Sequence, residues 1–203
     1  MKKLWLLFFC TAFLYQSGAI GDTYPIVYSQ NDPRWRDTPI VSKGETIGQQ
    51  GCFLAALATI ATRGGFHFTP LTLQKEFSTR GEFGYNGGLA LNAIELVTPL
   101  RVGVHVLTQK ENLGRQPHPP LSTEGRKIAS TALLRGEHVL ARVSYRDSPD
   151  YRQHWVILER DVGYDFLIAD PVDGERAFLE RRYGKRCDPI EKLVYEIISY
   201  TKN

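Results

Sequence analysis

The sequence predicts an α+β fold in which N-terminal helices pack against an antiparallel sheet. The main observation is the order of the elements, because helix-forming segments come first in the chain and most strand-forming segments follow them. The 203 residues are 42% hydrophobic and 23% charged, as in a globular protein of ordinary domain size. The formal net charge of +3 is too small to indicate nucleic-acid binding, and three cysteines are too few for a disulfide-dense scaffold.

The chain begins with the pattern of a secretory signal peptide over residues 1–19. Two lysines precede an apolar run at residues 4–15, and small residues follow it. The run is shorter than the roughly 20 residues that span a bilayer as a helix, so an uncleaved anchor is the less favoured alternative. Cleavage would remove Cys10 and leave a single mature domain, residues 22–203, that is secreted or periplasmic and has no stable membrane anchor.

Three helices are predicted after a loop-rich opening segment. The run CFLAALATIATR, residues 52–63, is apolar nearly all round, which predicts a buried helix ended by the two glycines that follow. Thr69 and Pro70 form an N-cap and a first-turn proline for a second helix, which is expected to end near Phe77. A third helix is expected over residues 89–97.

The second half of the chain contains most of the predicted strands. A polar, proline-containing loop is expected over residues 109–125, and a further helix near residues 127–135. Runs rich in β-branched and apolar residues predict strands at 101–107, 139–144, 155–160 and 164–170.

The last two predicted strands form a hairpin that brings His154 beside Asp170. A glycine suits the left-handed position of a three-residue loop, and a hairpin centred on Val162 pairs His154 with Asp170. The same register pairs Leu158 with Phe166. Directly paired Cβ atoms lie about 4.5–5.5 Å apart, which allows an imidazole–carboxylate hydrogen bond. Such a pair fits a catalytic role, and equally a structural role at the end of a sheet.

Cys52 opens the buried helix, in a position that activates a thiol. The positive end of a helix dipole and a neighbouring protonated imidazole both favour thiolate over thiol. Gly51 permits a sharp turn before it, and the Cys52 N–H at the helix start can donate to an oxyanion. Cys52, His154 and Asp170 are therefore a candidate nucleophile, base and orienting residue from distant parts of the chain.

These residues lie in segments that resemble papain-like cysteine peptidases, and more closely cysteine peptidase family thirty-nine, the domain of bacteriocin-processing double-glycine peptidases. The similar segments are YSQNDPRW at 28–35, TIGQQGCFLAALATI at 46–60, GGFHFTPLTLQKEF at 64–77 and HWVILERDVGYDFLIADP at 154–171. The resemblance implies a papain-like fold with a catalytic triad of Cys52, His154 and Asp170. It implies hydrolysis of peptide bonds in a peptide or protein substrate, through a thioester intermediate.

The resemblance also implies an oxyanion hole made by the Cys52 N–H and a glutamine side chain. Gln30 matches the family pattern best, and Gln49 and Gln50 are alternatives nearer to the cysteine. Phe53 departs from the family, which often has glycine after the cysteine, and would narrow the site. No cofactor or metal is expected, because the other histidines lack the spacing that a metal site needs.

Two other functions remain open from the sequence. A peptidoglycan amidase or an acyl transferase would use the same fold and the same residues. Alternatively, Cys52 pairs with Cys187 in a disulfide, and the chain is an exported binding module without activity. The polar context of Cys187 disfavours that pairing, and the basic run at residues 176–186 is interpreted as a solvated face.

Overall fold

The fold is α+β, as the sequence predicts, with N-terminal helices packed on an antiparallel sheet. The computed structural model describes residues 26–40, 44–83, 89–107, 123–144, 153–184 and 193–202. The predicted signal peptide, Cys10, Cys187 and most of the predicted loop at 109–125 lie outside these ranges.

The helices and strands alternate only in the second half of the chain. The helices are α1 (Ile47–Gln50), α2 (Cys52–Arg63), α3 (Pro70–Arg80), α4 (Thr123–Leu134) and α5 (Leu179–Tyr183), with a 3-10 helix at Ala93–Leu96. The strands are β1 (Leu100–Leu107), β2 (His138–Ser144), β3 (Gln153–Asp161), β4 (Phe166–Asp170), β5 (Glu175–Phe178) and β6 (Val194–Lys202). Their order in the sheet is β1-β6-β2-β3-β4-β5, and every neighbouring pair is antiparallel.

The first two predicted helices correspond to α2 and α3, and capping residues mark their ends. α2 has the predicted bounds, and Gly64 caps its C-terminal end. α3 begins at Pro70 after the Thr69 cap, whose side chain accepts a hydrogen bond from the Thr72 N–H at 3.2 Å. It continues past Phe77, because the left-handed residue that ends it is Gly81, with φ 71°.

The prediction of a third helix over residues 89–97 is wrong. Only Ala93–Leu96 is helical, as a single 3-10 turn. Pro99 disfavours helical geometry at the preceding residue, so the chain leaves the helix there and enters β1. Thr98 supports this exit, because its hydroxyl accepts the Leu100 N–H at 3.1 Å.

Two hydrophobic clusters hold helices against the sheet. The cluster around α2 and α3 joins them to strands and includes Leu57, Ile60, Leu73, Phe77, Leu140, Ile157, Ala169 and Ile198. The cluster around α4 and α5 includes Ala129, Ala132, Leu179, Val139, Val156, Ile168 and Ile197. Adjacent residues of β2 and β3 alternate between the clusters, so the sheet is buried on both faces at its centre. No helix among the described residues is long and apolar enough to cross a membrane.

Candidate active site

Cys52 begins α2 at a sharp junction with α1. Gly51 joins the two helices, and its N–H donates to the Ile47 carbonyl at 2.7 Å. A Cβ at this glycine would lie only 2.3 Å from the same oxygen, so a larger residue does not fit without a shift of the backbone. The Cys52 thiol is partly buried and is not in a disulfide. Cys187, its partner in the alternative prediction, lies outside the described residues.

His154 of β3 and Asp170 of β4 are hydrogen-bonded, as expected from the sequence. His154 Nε2 lies 2.7 Å from Asp170 Oδ1. The two residues are 3% and 0% exposed, so the bond lies within the protein rather than on its surface. Buried polar groups at such a depth require a partner, and each supplies one for the other.

The predicted register of the hairpin is nevertheless wrong, by three residues beside the loop and by two residues beyond a β-bulge between Leu158 and Arg160. Leu158 pairs with Ile168 instead of Phe166. The loop is longer than predicted, because β4 begins at Phe166 and the Val162 N–H donates to the Asp165 carbonyl at 2.9 Å.

The contact survives this error because side chains on a strand alternate between faces with a period of two. A shift of two residues keeps His154 and Asp170 on the same face, as diagonal rather than direct neighbours. A long side chain reaches a diagonal neighbour, and the imidazole of His154 does so here.

The Cys52 thiol and the His154 imidazole also interact, and each changes the acidity of the other. Burial raises the pKa of the Cys52 thiol, but hydrogen bonding to His154 and its charge have the larger effect and lower the pKa below its usual 9.0. Burial lowers the pKa of His154, but Asp170 and Cys52 together raise it to about 9. Both shifts favour a thiolate–imidazolium pair.

Four donors surround the Asp170 carboxylate. Oδ1 accepts from His154 Nε2 and from the Val172 N–H, the latter at 2.9 Å. Oδ2 accepts from the Tyr183 hydroxyl and is ion-paired with Arg182 Nε. Burial raises the pKa of the Asp170 carboxyl, but the bonds from His154, Tyr183 and Val172 lower it below its usual 3.8. The carboxylate is therefore ionised, and both of its oxygens have donors.

Arg182 and Tyr183 are functional candidates that the sequence does not predict. They lie in the basic run interpreted as a solvated face, and that interpretation is wrong for Arg182, which contacts Asp170 and Asp173. The neighbouring Arg181 is exposed, and nothing in the local sequence distinguishes the two arginines. The difference comes from the placement of α5 beside β4, which is a tertiary property.

Gln30 is the buried member of the three candidate oxyanion donors. Its backbone N–H donates to the Pro171 carbonyl at 2.6 Å, and its side-chain Nε2 donates to the Gly48 carbonyl at 2.7 Å. Gln30 is thus tied both to the turn after Asp170 and to the helix before Cys52. Gln49 and Gln50 are exposed.

Two aromatic rings next to the candidate nucleophile and base pack against each other. Phe53 and Trp155 follow Cys52 and His154 directly, and their ring centroids lie 4.8 Å apart. Both rings are buried, so Phe53 contributes to the core as well as to the site. Among the described residues, no group of three or more His, Cys, Asp or Glu residues is arranged to hold a metal ion.

The comparisons with known proteins give matches among solved structures alone. No family model and no curated protein matches the chain. Among solved structures, a candidate C39-like peptidase from Bacillus anthracis matches with a TM-score of 0.46 and 13% identity. The match covers 88% of this chain and 98% of that one. Functional inference therefore depends on the geometry of the site.

Proposed function

We propose that the chain is an exported cysteine peptidase with Cys52 as nucleophile, His154 as base and acid, and Asp170 as the residue that orients His154. The observation that carries the proposal is that one imidazole, His154, is hydrogen-bonded to the Asp170 carboxylate and also lowers the pKa of the Cys52 thiol. A His–Asp pair alone also fits a structural role. A thiol with a lowered pKa on the other side of the same imidazole is the arrangement of a nucleophile with its base.

The proposed reaction is acyl transfer to the Cys52 sulfur. The thiolate attacks the carbonyl carbon of an amide bond and forms a tetrahedral intermediate. His154 gives its proton to the leaving nitrogen, the C–N bond breaks, and a thioester remains. His154 then takes a proton from water, whose oxygen attacks the thioester, and the carboxylic acid leaves as Cys52 is regenerated.

Two donors are proposed for the oxyanion of the tetrahedral intermediate. One is the Cys52 N–H, which lies at the start of α2, where helix N–H groups have no partner within the helix. The other is Gln30 Nε2, which has two hydrogens and donates one of them to Gly48. Loss of one such donor typically lowers kcat by about 10²–10³-fold.

Export is proposed from the N-terminal sequence pattern alone. The basic start, the short apolar run and the small residues up to Ala19 fit cleavage after that residue. Sequencing the N-terminus of the exported protein would then find Ile20 first. An N-terminus at Met1 on the exported protein would indicate an uncleaved anchor instead.

The central experiment compares Cys52→Ala with Cys187→Ala in the mature protein. Casein digestion is expected to disappear in the first variant and to persist in the second, because Cys187 has no proposed role. A thiol-directed peptidase inhibitor should modify Cys52 in the native protein, as mapped by mass spectrometry. Casein hydrolysis by Cys52→Ala at the wild-type rate would refute the assignment.

The same chemistry would serve a peptidoglycan amidase or an acyl transferase. Mass analysis of products from peptidoglycan and from casein separates these activities. A product joined to a second amine indicates transfer, whereas a free carboxylate indicates hydrolysis.

A further inference from the structure

We propose that Arg182 and Tyr183 are positioning residues that hold Asp170, and through it the His154 imidazole, in the orientation that Cys52 requires. This inference rests on the proposed function. Arg182 and Tyr183 are adjacent in α5 and both contact Oδ2 of Asp170, on the side away from His154. His154 contacts the other oxygen, Oδ1.

These contacts fix the plane of the carboxylate. A carboxylate bound only at Oδ1 can rotate about its Cβ–Cγ bond, whereas donors on both oxygens permit one orientation. The Val172 N–H adds a second donor at Oδ1 from the backbone itself. The Tyr183 ring also lies beside His154, with the ring centroids 5.8 Å apart. Tyr183 therefore contacts Asp170 and also packs beside the imidazole.

The hairpin that carries His154 and Asp170 also holds α5 in place. Asp165, in the loop between β3 and β4, is buried and accepts a hydrogen bond from the Glu180 N–H at 3.2 Å. Glu180 is in the first turn of α5, so the loop fixes the start of this short helix. Leu179 is fully buried beneath it. The positions of Arg182 and Tyr183 are thus coupled to the hairpin itself.

Arg182 also affects the pKa of His154 through the charge of Asp170. Its guanidinium neutralises part of the Asp170 charge, which would otherwise bind the proton on His154 more tightly. Removal of this charge should therefore raise the pKa of His154. Among the described residues, the charged and titratable groups around His154 and Asp170 are Cys52 from α2, Arg182 and Tyr183 from α5, Asp173 from the turn after β4, and Tyr195 from β6, whose pKa the Cys52 charge helps to raise.

The test measures alkylation of Cys52 by iodoacetamide as a function of pH, with the labelled residue quantified by mass spectrometry. The rate should increase in two steps, first as the Cys52–His154 ion pair forms and again as His154 loses its proton. In wild type the second step is expected near pH 9. In Arg182→Gln it should move by about half to one pH unit, upward if Asp170 keeps its orientation and only the offsetting charge is lost, and downward if the carboxylate turns away and its bond to His154 weakens.

The matched control is Arg181→Gln, which removes the same charge from an exposed position on the same helix. It should leave both steps unchanged, and Arg182→Lys should restore most of the wild-type profile. A second step at the same pH in Arg182→Gln and Arg181→Gln would overturn the proposal. If Arg182→Gln does not fold, Tyr183→Phe replaces it. This change removes no charge, so the less firmly held carboxylate should move the second step downward, and an unchanged profile would count against the proposal.

This assay needs no substrate, so it separates the two proposals. A chain that hydrolyses no amide but shows the Arg182 shift would retain the positioning role and lose the peptidase assignment. A chain that hydrolyses casein through Cys52 without the shift would retain the peptidase assignment and lose the positioning role.

Discussion

At the scale of single residues, the proposed nucleophile depends on two opposing effects at Cys52. Burial disfavours the thiolate, and the adjacent imidazolium of His154 favours it more strongly. The Asp170 carboxylate has a similar role for His154, because it offsets the burial that would otherwise keep the imidazole neutral. The charge on Cys52 therefore depends on a carboxylate that it does not contact.

This dependence predicts a pH profile. The value of kcat/KM should rise as Cys52 loses its proton and fall near pH 9, as His154 loses the proton that the leaving group needs. In Asp170→Asn the pKa of His154 falls, so the alkaline limb should move down by about one to three pH units. Initial rates with a fluorogenic peptide measure both limbs across roughly pH 5–10, the range in which cysteine and histidine side chains titrate. An unchanged alkaline limb in Asp170→Asn would contradict the proposed coupling.

The sequence predicts the placement of single residues where the signal is local. Cys52 begins the buried helix as predicted, and His154 contacts Asp170 because strand periodicity puts the two residues on one face. Arg182 and Tyr183 have no such signal, since their partner is brought to them by tertiary packing.

At the scale of elements, the junction between α1 and α2 determines where the sulfur lies. Gly51 is at this junction, and the space for a side chain is taken by Ile47, whose carbonyl oxygen would be 2.3 Å from an added Cβ. Any larger residue must displace one of the two helices. The glycine is therefore required by packing, and the position of Cys52 follows from it.

Gly51→Ala is accordingly expected to lower the free energy of unfolding by roughly 1–3 kcal/mol, the usual range for a buried steric clash. It should also slow the alkylation of Cys52, because α2 begins at a shifted position. Gly64→Ala is the matched control at the other end of α2, where the backbone is right-handed and the nearest atom lies 3.3 Å from the added Cβ. Urea unfolding measures both variants, and equal stabilities would show that the junction tolerates a side chain.

A buried ion-pair network connects α2 to two strands. Glu159 of β3 accepts from Arg63 of α2 at 2.6 Å and from Arg176 of β5 at 2.7 Å. The Arg63 and Glu159 side chains are only 2% and 7% exposed. Loss of one partner would leave a buried guanidinium without its counter-charge.

Glu159→Gln should therefore destabilise the protein by roughly 3–5 kcal/mol, as breaking a buried pair does. Glu76→Gln removes the same charge from the exposed pair with Arg80 and should change stability by less than about 1 kcal/mol. Thermal unfolding followed by circular dichroism measures both variants. Similar losses in the two variants would mean that burial of the Glu159 network contributes little.

At the scale of the whole molecule, the sequence predicts the class of fold better than the arrangement of the sheet. The helix-then-strand order was sufficient for α+β, but β6 was not predicted, although it lies between β1 and β2. Its run VYEIISY is strand-like, but its partners are distant in the sequence. Strand order and register depend on such non-local pairings, which local patterns do not contain.

The arrangement of the sheet makes the candidate site a product of the whole fold. One hydrophobic cluster contains residues from Trp35 to Tyr200 and joins α2 to β2, β3, β4 and β6. Cys52 therefore comes from an early helix, and His154 and Asp170 from late strands, but all three depend on one core. We therefore expect the activated state of Cys52 to be lost when this core unfolds, and not before.

Loss of the activated thiol should consequently coincide with global unfolding. At pH 7 an ordinary thiol is mostly protonated, so alkylation of Cys52 that is faster than in the unfolded chain reports its pairing with His154. In urea, the midpoints for loss of rapid alkylation and for loss of ellipticity should agree, and Glu159→Gln should shift both equally. An alkylation midpoint at clearly lower urea would instead mean that the junction of α1 and α2 opens before the sheet unfolds. Activation of Cys52 would then be a local property of that junction, held apart from the stability of the core.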